Sequence, residues 1–296
     1  MISKSVHTQL LAVGARKGLR GFVWMLKIIV PVSLATTLLD ARRLIRLIGI
    51  VGAIAAALWS GSLQAEQAEL PFRPGEKLTF ELKWTLVPAG QATLEVKPIE
   101  QVDGKDAYHF RLTARSNRIV DAFYKVRDRI DGYTDMDITR SVFYAKRQRE
   151  GKTKKNVVVR FDWGSQTAEY TEFIKRSKKG PVALLPGAFD PLSIFYYTRK
   201  QSFEVGKELQ RPVTDGKKCV LGKAKILRRE KITVPAGEFE TFLIVPDLKH
   251  VGGVFKKSKN AKIELWVSAD ERRLPIKLKS EVIVGSFTGE LITYEP

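Results

Sequence analysis

Side chains able to do chemistry are sparse in this 296-residue chain, which has three histidines and one cysteine. Beyond the N-terminal leader only His109 and His250 remain, far apart and without a His-x-x-His or paired-Cys spacing, so no metal set is expected. Cys219 sits beside Val220 and Leu221 and reads as a small apolar core residue before it reads as a nucleophile. Neither Ser165 nor Ser286 lies in a Gly-x-Ser-x-Gly elbow, and Ser193 falls inside an expected helix. A Ser-His-Asp hydrolase would therefore have to recruit His109 or His250 from a distance. Asp128, Asp131 and Asp135 share one stretch with Lys125, Arg127 and Arg129, a pattern of surface ion pairs more than of paired acid catalysts. No Gly-rich phosphate-cradling loop occurs. No catalytic residue, metal or cofactor is assigned.

What the sequence does offer is charge and aromatic surface. The net charge is +19. Basic residues concentrate in Arg147, Arg149, Lys154 and Lys155, in Lys178 and Lys179, and in Lys256 and Lys257. Such clusters suit anionic envelope components: phospholipid headgroups, lipopolysaccharide phosphates or acidic glycans. Each lysine near an anionic surface adds on the order of 1 kcal/mol, and solvated loops are the competing reading. Trp84, Trp163, Phe195 and Tyr196 are candidates for lining a lipophilic cavity, although the ordinary fate of such residues is a packed core. Trp266 stands on the face opposite Ile263, Leu265 and Val267. In a sheet with one buried face it would be exposed unless something covers it.

The elements that must position these residues are strands. Leu78, Phe80, Leu82 and Trp84 alternate with Thr79, Glu81 and Lys83, and Tyr108, Phe110 and Leu112 alternate with His109, Arg111 and Thr113, the period of half-buried strands. The same alternation at Ile263, Leu265, Val267 and then Leu274, Ile276, Leu278 predicts a hairpin. Residues 117–124 break the period and predict a short helix or wide turn. The lysine run 175–179 is expected to be a loop. Residues 190–200 predict a helix with Asp190 as N-cap and Pro191 at the first helical position. Strands are expected again at 210–213, 220–229, 231–234 and 241–245. The fold class is mainly β: a curved antiparallel sheet or half-open barrel with one or two short helices. Near residues 180–205 the helix interrupts the strands, and there the sheet either continues as one barrel or divides into two halves.

Residues 1–65 carry eight Lys and Arg against the single acid Asp40. Arg42, Arg43 and Arg46 precede an apolar run of about 12 residues, short of the roughly 20 that span a bilayer, and a small residue before Glu66: a secretory signal peptide. The unusual length of this leader leaves two alternatives, an overlong start or an inner-membrane anchor. The exported β domain would be residues 66–296, with 43 Lys and Arg against 31 Asp and Glu, a net +12. A periplasmic location removes nucleic acid as the partner of this charge.

Five stretches in order, Phe72-Arg-Pro-Gly-Glu-Lys-Leu78, Phe123-Tyr-Lys-Val-Arg-Asp128, Phe189-Asp-Pro-Leu-Ser-Ile-Phe-Tyr196, Val234-Pro-Ala-Gly-Glu-Phe-Glu-Thr241 and Leu265-Trp-Val-Ser-Ala-Asp-Glu-Arg-Arg-Leu-Pro275, resemble the DUF3108 family of exported bacterial proteins. The resemblance covers nearly all of 66–296 and none of 1–40. It implies a cell-envelope context and brings no catalytic residues. At the level of fold alone, the family's curved sheets are similar to periplasmic lipid and lipoprotein carriers. The expected function is non-enzymatic binding of a lipid-like ligand or an anionic envelope glycan, with membrane contact only through the leader or surface charge. An envelope hydrolase acting on a glycan or ester, and a structural module that binds an envelope protein, are the alternatives.

Overall fold

The computed structural model describes residues 70–248, 262–282 and 285–296. The leader, His250, Lys256 and Lys257 lie outside the described residues. Ala68–Pro296 form one compact unit. The first meander runs β1 (Lys77–Trp84), β2 (Val87–Val102), β3 (Lys105–Ser116), a single helical turn α1 (Arg118–Asp121), β4 (Arg127–Thr134), β5 (Ser141–Glu150), β6 (Thr153–Asp162), β7 (Thr167–Glu172) and β8 (Ser177–Ala183). Helix α2 (Ser193–Arg199) then leads to the second meander, β9 (Glu208–Thr214), β10 (Cys219–Val234), β11 (Gly237–Pro246), β12 (Lys262–Ser268), β13 (Pro275–Val282) and β14 (Gly285–Glu295).

Among the described residues these strands form one 14-stranded sheet, ordered β8-β7-β6-β5-β4-β3-β2-β1-β14-β13-β12-β11-β10-β9. The two meanders are joined by β1 against β14, antiparallel, with Lys77 opposite Glu295 and Trp84 opposite Phe287. β8 and β9 remain as edges, so the sheet is curved and not closed, as the alternating pattern predicts. Register shifts at Lys97/Glu100 in β2 and Ile226/Arg228 in β10 add local twist, the usual effect of bulges. Successive hairpin turns alternate between two ends of the sheet. In the first meander the upper end carries the β1–β2, β5–β6 and β7–β8 turns together with α1.

One face of the sheet is packed by four apolar clusters. Phe72, Val96, Phe110, Phe189, Leu192 and Tyr196 form the cluster under α2. Tyr144, Val157, Val159, Ala168 and Tyr170 fill β5–β7, Leu78, Phe80, Leu274, Ile276 and Leu291 the centre, and Phe203, Ile226, Phe242, Ile244 and Val267 the β10–β12 side. Full burial of each such side chain stabilises by about 1.5–3 kcal/mol. Tyr196 lies flat on Phe110 at 3.9 Å and edge-on to Phe72 at 5.2 Å, which fixes α2 on this inner face. The β9–β10 turn folds back over β6 and β7: a Cβ on Gly216 (φ +81°) would sit 2.7 Å from Val159, and Cys219 packs against the same cluster. Among the described residues these clusters pack much of the inner face.

Helix α2 starts two residues later than its sequence suggests, because Pro191 and Leu192 form a turn before it. The N-cap position is Leu192, which makes no side-chain cap bond, and not the expected Asp190; Asp190 instead holds the preceding turn, accepting from the Leu192 and Ser193 amides at 2.8 and 2.9 Å and from the Ser141 hydroxyl at 2.6 Å. Gly132 on β4 makes room for this: a Cβ there would meet Ser193 Oγ at 2.6 Å and Asp190 Oδ1 at 2.9 Å. The lysine run differs more. Ser177 onward is the edge strand β8, with Lys178 opposite Thr171 and Lys179 opposite Tyr170. Lysines and Pro181 on an edge deter pairing with another chain, and that charge density resembles a loop. The strands expected at 220–229 and 231–234 are one strand, β10.

At the lower end, Arg199 is almost fully buried against Glu76. Its guanidinium donates to both carboxylate oxygens, at 2.5 and 2.9 Å, and to the Pro71 and Arg272 carbonyls, each at 2.9 Å. The faces of Phe72 and Tyr196 lie 4.9 and 5.7 Å from it. The pair ties α2 to the start of β1 and to the β12–β13 turn.

Candidate functional site

The aromatic candidates occupy separate places. Trp84 is at the upper end of β1, stacked on Phe287 at 6.4 Å. Trp163 follows β6 at the lower end, under the Arg140 guanidinium at 4.9 Å, with Nε1 donating to the Ser141 carbonyl at 2.8 Å. Tyr196 is core, with Phe195 edge-on to it at 5.7 Å. Trp266 is on the outer face and nearly buried there. Its Nε1 donates to Glu230 at 2.8 Å and the Lys277 ammonium lies 5.8 Å from its ring. It borders a recess of about 560 Å³ shared with Lys83, Arg228 and Glu290. Long charged side chains, not a helix, cover this tryptophan.

Of the basic candidates, Arg147, Arg149 and Lys154 are neighbours on adjoining strands. Directly paired residues in an antiparallel sheet share a face, which puts Arg147, Arg149, Lys154 and Lys178 on the outer face and Lys155 and Lys179 on the inner one. Three like-charged pairs stand directly opposite each other across neighbouring strands: Arg115 and Arg127, Arg129 and Arg147, Arg149 and Lys154. Such pairs cost stability. Arg127 is compensated by Asp121 and Arg129 by Asp131. Among the described residues none of Arg147, Arg149, Lys154, Lys155, Lys178 and Lys179 is held in an ion pair. On the inner face, burial and then Lys155 and Lys217 push the Lys146 ammonium below its ordinary range.

Beside this strip lies the arrangement the sequence hid. His109 is fully buried on the outer face, its ring stacked on Tyr133 at 4.2 Å. Nδ1 lies 2.8 Å from Glu100 Oε1 and Nε2 2.8 Å from Asp131 Oδ1. Asp131 also accepts from Arg111 Nε and Arg129 Nε, both at 2.7 Å. Burial alone would raise the Asp131 carboxyl, but the bonds from His109, Arg129 and Arg111 outweigh it and hold it well below the usual carboxylate range. Burial and Glu100 push the Tyr133 phenol up. With each imidazole nitrogen facing a carboxylate, neither is left to take a proton from a hydroxyl nucleophile, which general-base catalysis needs. The constellation ties β2, β3 and β4 together. Asp128, at the upper end of β4, is raised to about 6, chiefly by burial and then by Glu150, against a bond from the Arg149 amide. Among the described residues no group of three His, Cys, Asp or Glu side chains is arranged to hold a metal ion.

The fold and its surfaces define a class: a half-open antiparallel β-barrel, packed inside and strongly basic on the outer face of one half. The chain belongs to the DUF3108 family, described as proteins of unknown function, which matches residues 79–292. Among solved structures it is similar to a β-barrel-like protein of domain of unknown function DUF1849 from Brucella abortus, at 11% identity and TM-score 0.47, covering 74% of this chain and 96% of that one. It is also similar to a protein from Bacteroides fragilis described as exported with a YmcC-like fold, at 8% identity and TM-score 0.31, covering 77% and 98%. A protein from Parabacteroides distasonis described as a lipoprotein matches at 9% identity and TM-score 0.26, covering 75% and 96%. No curated protein matches the sequence.

Proposed function

We propose that this is a non-enzymatic, exported protein of the bacterial cell envelope that binds an anionic or lipid-like envelope component on its surface. The supporting observation is the set of like-charged pairs across strands, Arg129 with Arg147 and Arg149 with Lys154, of which Arg147, Arg149 and Lys154 have no carboxylate partner among the described residues. A sheet that sets cations side by side is relieved by an anion bound over them. The packed inner face directs recognition to the outside. It also favours a second reading, a structural module that binds an envelope protein. The test is retention of the exported protein on immobilised lipopolysaccharide and on an anionic glycan resin. Loss of retention when Arg147, Arg149 and Lys154 are replaced by serine is the expected result. Retention unchanged by all three replacements would remove the basis of the reading.

A further inference from the structure

The upper end of the first meander carries more exposed apolar side chains than the lower end, where Met136, Leu185 and Val205 are exposed, and it sets cations among them. Of the large apolar side chains left exposed, Trp84, Leu86 (85%), Val87, Ile119 (74%), Phe123 (68%), Tyr124, Phe173, Ile174 and Phe287 all lie at this end. Leu86, Ile119, Phe123, Tyr124, Phe173 and Ile174 lie in turns or at α1, and Trp84, Val87 and Phe287 at the adjoining strand ends; polar residues and glycine are the ordinary choice at turns. The tips are fastened sideways to one another: the Thr85 amide donates to the Ser286 carbonyl at 2.7 Å, the Asn117 amide to Ala89 at 2.8 Å, the Gly151 amide to Lys125 at 2.9 Å and the Phe173 amide to Asn156 at 2.8 Å. Cations stand among them: Arg118, Lys125, Lys152, Lys154, Lys175 and Arg176, all exposed. The acids at this end are few, and Asp121 is already bound by Arg127. At the lower end the turns mix both signs: Asp103, Asp135, Asp162, Asp270 and Glu271 with Lys105, Arg140, Arg272 and Arg273, and Asp135 and Asp270 are paired with Arg140 and Arg272.

We infer that this upper rim, from the β1–β2 turn across α1 to the β7–β8 turn, docks on the surface of an anionic phospholipid bilayer. The inference rests on the reading above that the protein binds an anionic or lipid-like component, and it gives that component a place and a form. Eight strands set about 4.8 Å apart make the rim roughly 30 Å long, a line of separated apolar tips and not a pocket for one molecule. Tips such as Leu86 with Val87 and Phe173 with Ile174 enter the headgroup–acyl boundary, while neighbouring lysines reach phosphates with their apolar stems against the interface. Charge complementarity selects a bilayer over a second copy of this chain, whose own rim would bring like charges together.

The test reads the rim itself, so that membrane attachment through the leader is not mistaken for docking. In a Cys219→Ser background the full chain carries an environment-sensitive dye at Leu86→Cys, or at Ser165→Cys on the lower end as control. It is mixed with phosphatidylcholine vesicles containing about one third phosphatidylglycerol. The rim dye is expected to shift to the blue and to be quenched by lipid-borne quenchers, the control dye to do neither. Phe173→Asp with Ile174→Asp, or Lys175→Glu with Arg176→Glu, should weaken the apparent vesicle affinity at the rim about tenfold or more. Raising salt from about 0.1 M to about 1 M, which shortens the Debye length from about 10 Å to about 3 Å, should weaken it likewise. A rim dye that stays in water overturns the inference. If the chain is then still retained on the anionic glycan resin, the broader reading stands without the rim; if it is not, both fall. Docking that survives every rim substitution also overturns the inference, and a response only to an added acidic envelope protein would replace the bilayer with a protein partner.

Discussion

Replacing Glu76 by alanine strips the buried Arg199 guanidinium of the one carboxylate paired with it among the described residues. The two partners are 2% exposed each, so water cannot take over the lost contacts. What remains to Arg199 is the pair of carbonyls of Pro71 and Arg272 and the faces of Phe72 and Tyr196. Removing one partner of a buried ion pair costs about 3–5 kcal/mol. For a chain whose urea m-value is about 2–3 kcal/mol/M, the unfolding midpoint should fall by about 1–2 M. The double replacement Glu76→Leu with Arg199→Met removes both charges and should recover much of this loss, because an apolar pair of similar volume often equals a buried ion pair. Equilibrium urea unfolding followed by tryptophan fluorescence and far-ultraviolet circular dichroism measures both. A Glu76→Ala midpoint within about 0.2 M of the parent would refute the reasoning, since the pair would then not be buried or not be formed.

Other perturbations follow from the same contacts. Gly132→Ala sets a methyl group against Asp190 and Ser193 and should destabilise by about 1–3 kcal/mol as overpacking, read by thermal unfolding. Asp131 has a folded pKa below its unfolded value, so its contribution is present above about pH 4 and is lost as the pH falls further. The acid limb of an unfolding-versus-pH curve should therefore flatten in Asp131→Asn. Asp128 behaves oppositely: raised to about 6, it gives stability that is full below about pH 4 and declines as the pH rises to about 6. A carboxyl carbon NMR titration with its midpoint near the unperturbed value would show that Asp128 is not buried as described. His109→Ala should lower stability and leave surface binding intact, whereas loss of a hydrolytic activity in that variant would restore the enzymatic alternative.

Much of this fold is legible along single strands, and less across them. Alternation separates Tyr108, Phe110 and Leu112 from His109, Arg111 and Thr113, and the structure keeps these faces. It does not reveal that the bulge between Lys97 and Glu100 brings Glu100 to His109, because a bulge changes parity without changing composition. Glu76 and Arg199 are 123 residues apart, and no local pattern links them. β8 was masked by its charge, since an edge strand defended by lysine and proline has the composition of a loop. The rim had a readable signal in Leu86-Val87 and Phe173-Ile174, neighbouring apolar residues at positions where a turn calls for polar ones. Trp266 could be assigned to the outer face from period two alone, but not its cover, which comes from β10 and β13.

The pairing of β1 with β14 has a consequence for how this domain can be rewired. The sequence-distant ends are neighbours: Lys77 faces Glu295 across the ladder, and Leu70 and Pro296 line one recess. The true edges of the sheet are instead β8 and β9, which are joined through α2. A short linker from Pro296 to Leu70, with residues 1–69 left off and new ends opened in the turn between α2 and β9, would turn the sheet into a single uninterrupted meander from β9 through β14 and β1 to β8. Every hairpin would survive, and the longest-range pairing of the barrel would become a local one. Such a circular permutant should fold faster, since local closure costs less chain entropy than pairing across the whole chain, while trimming β14 from the natural order would split the sheet at its middle.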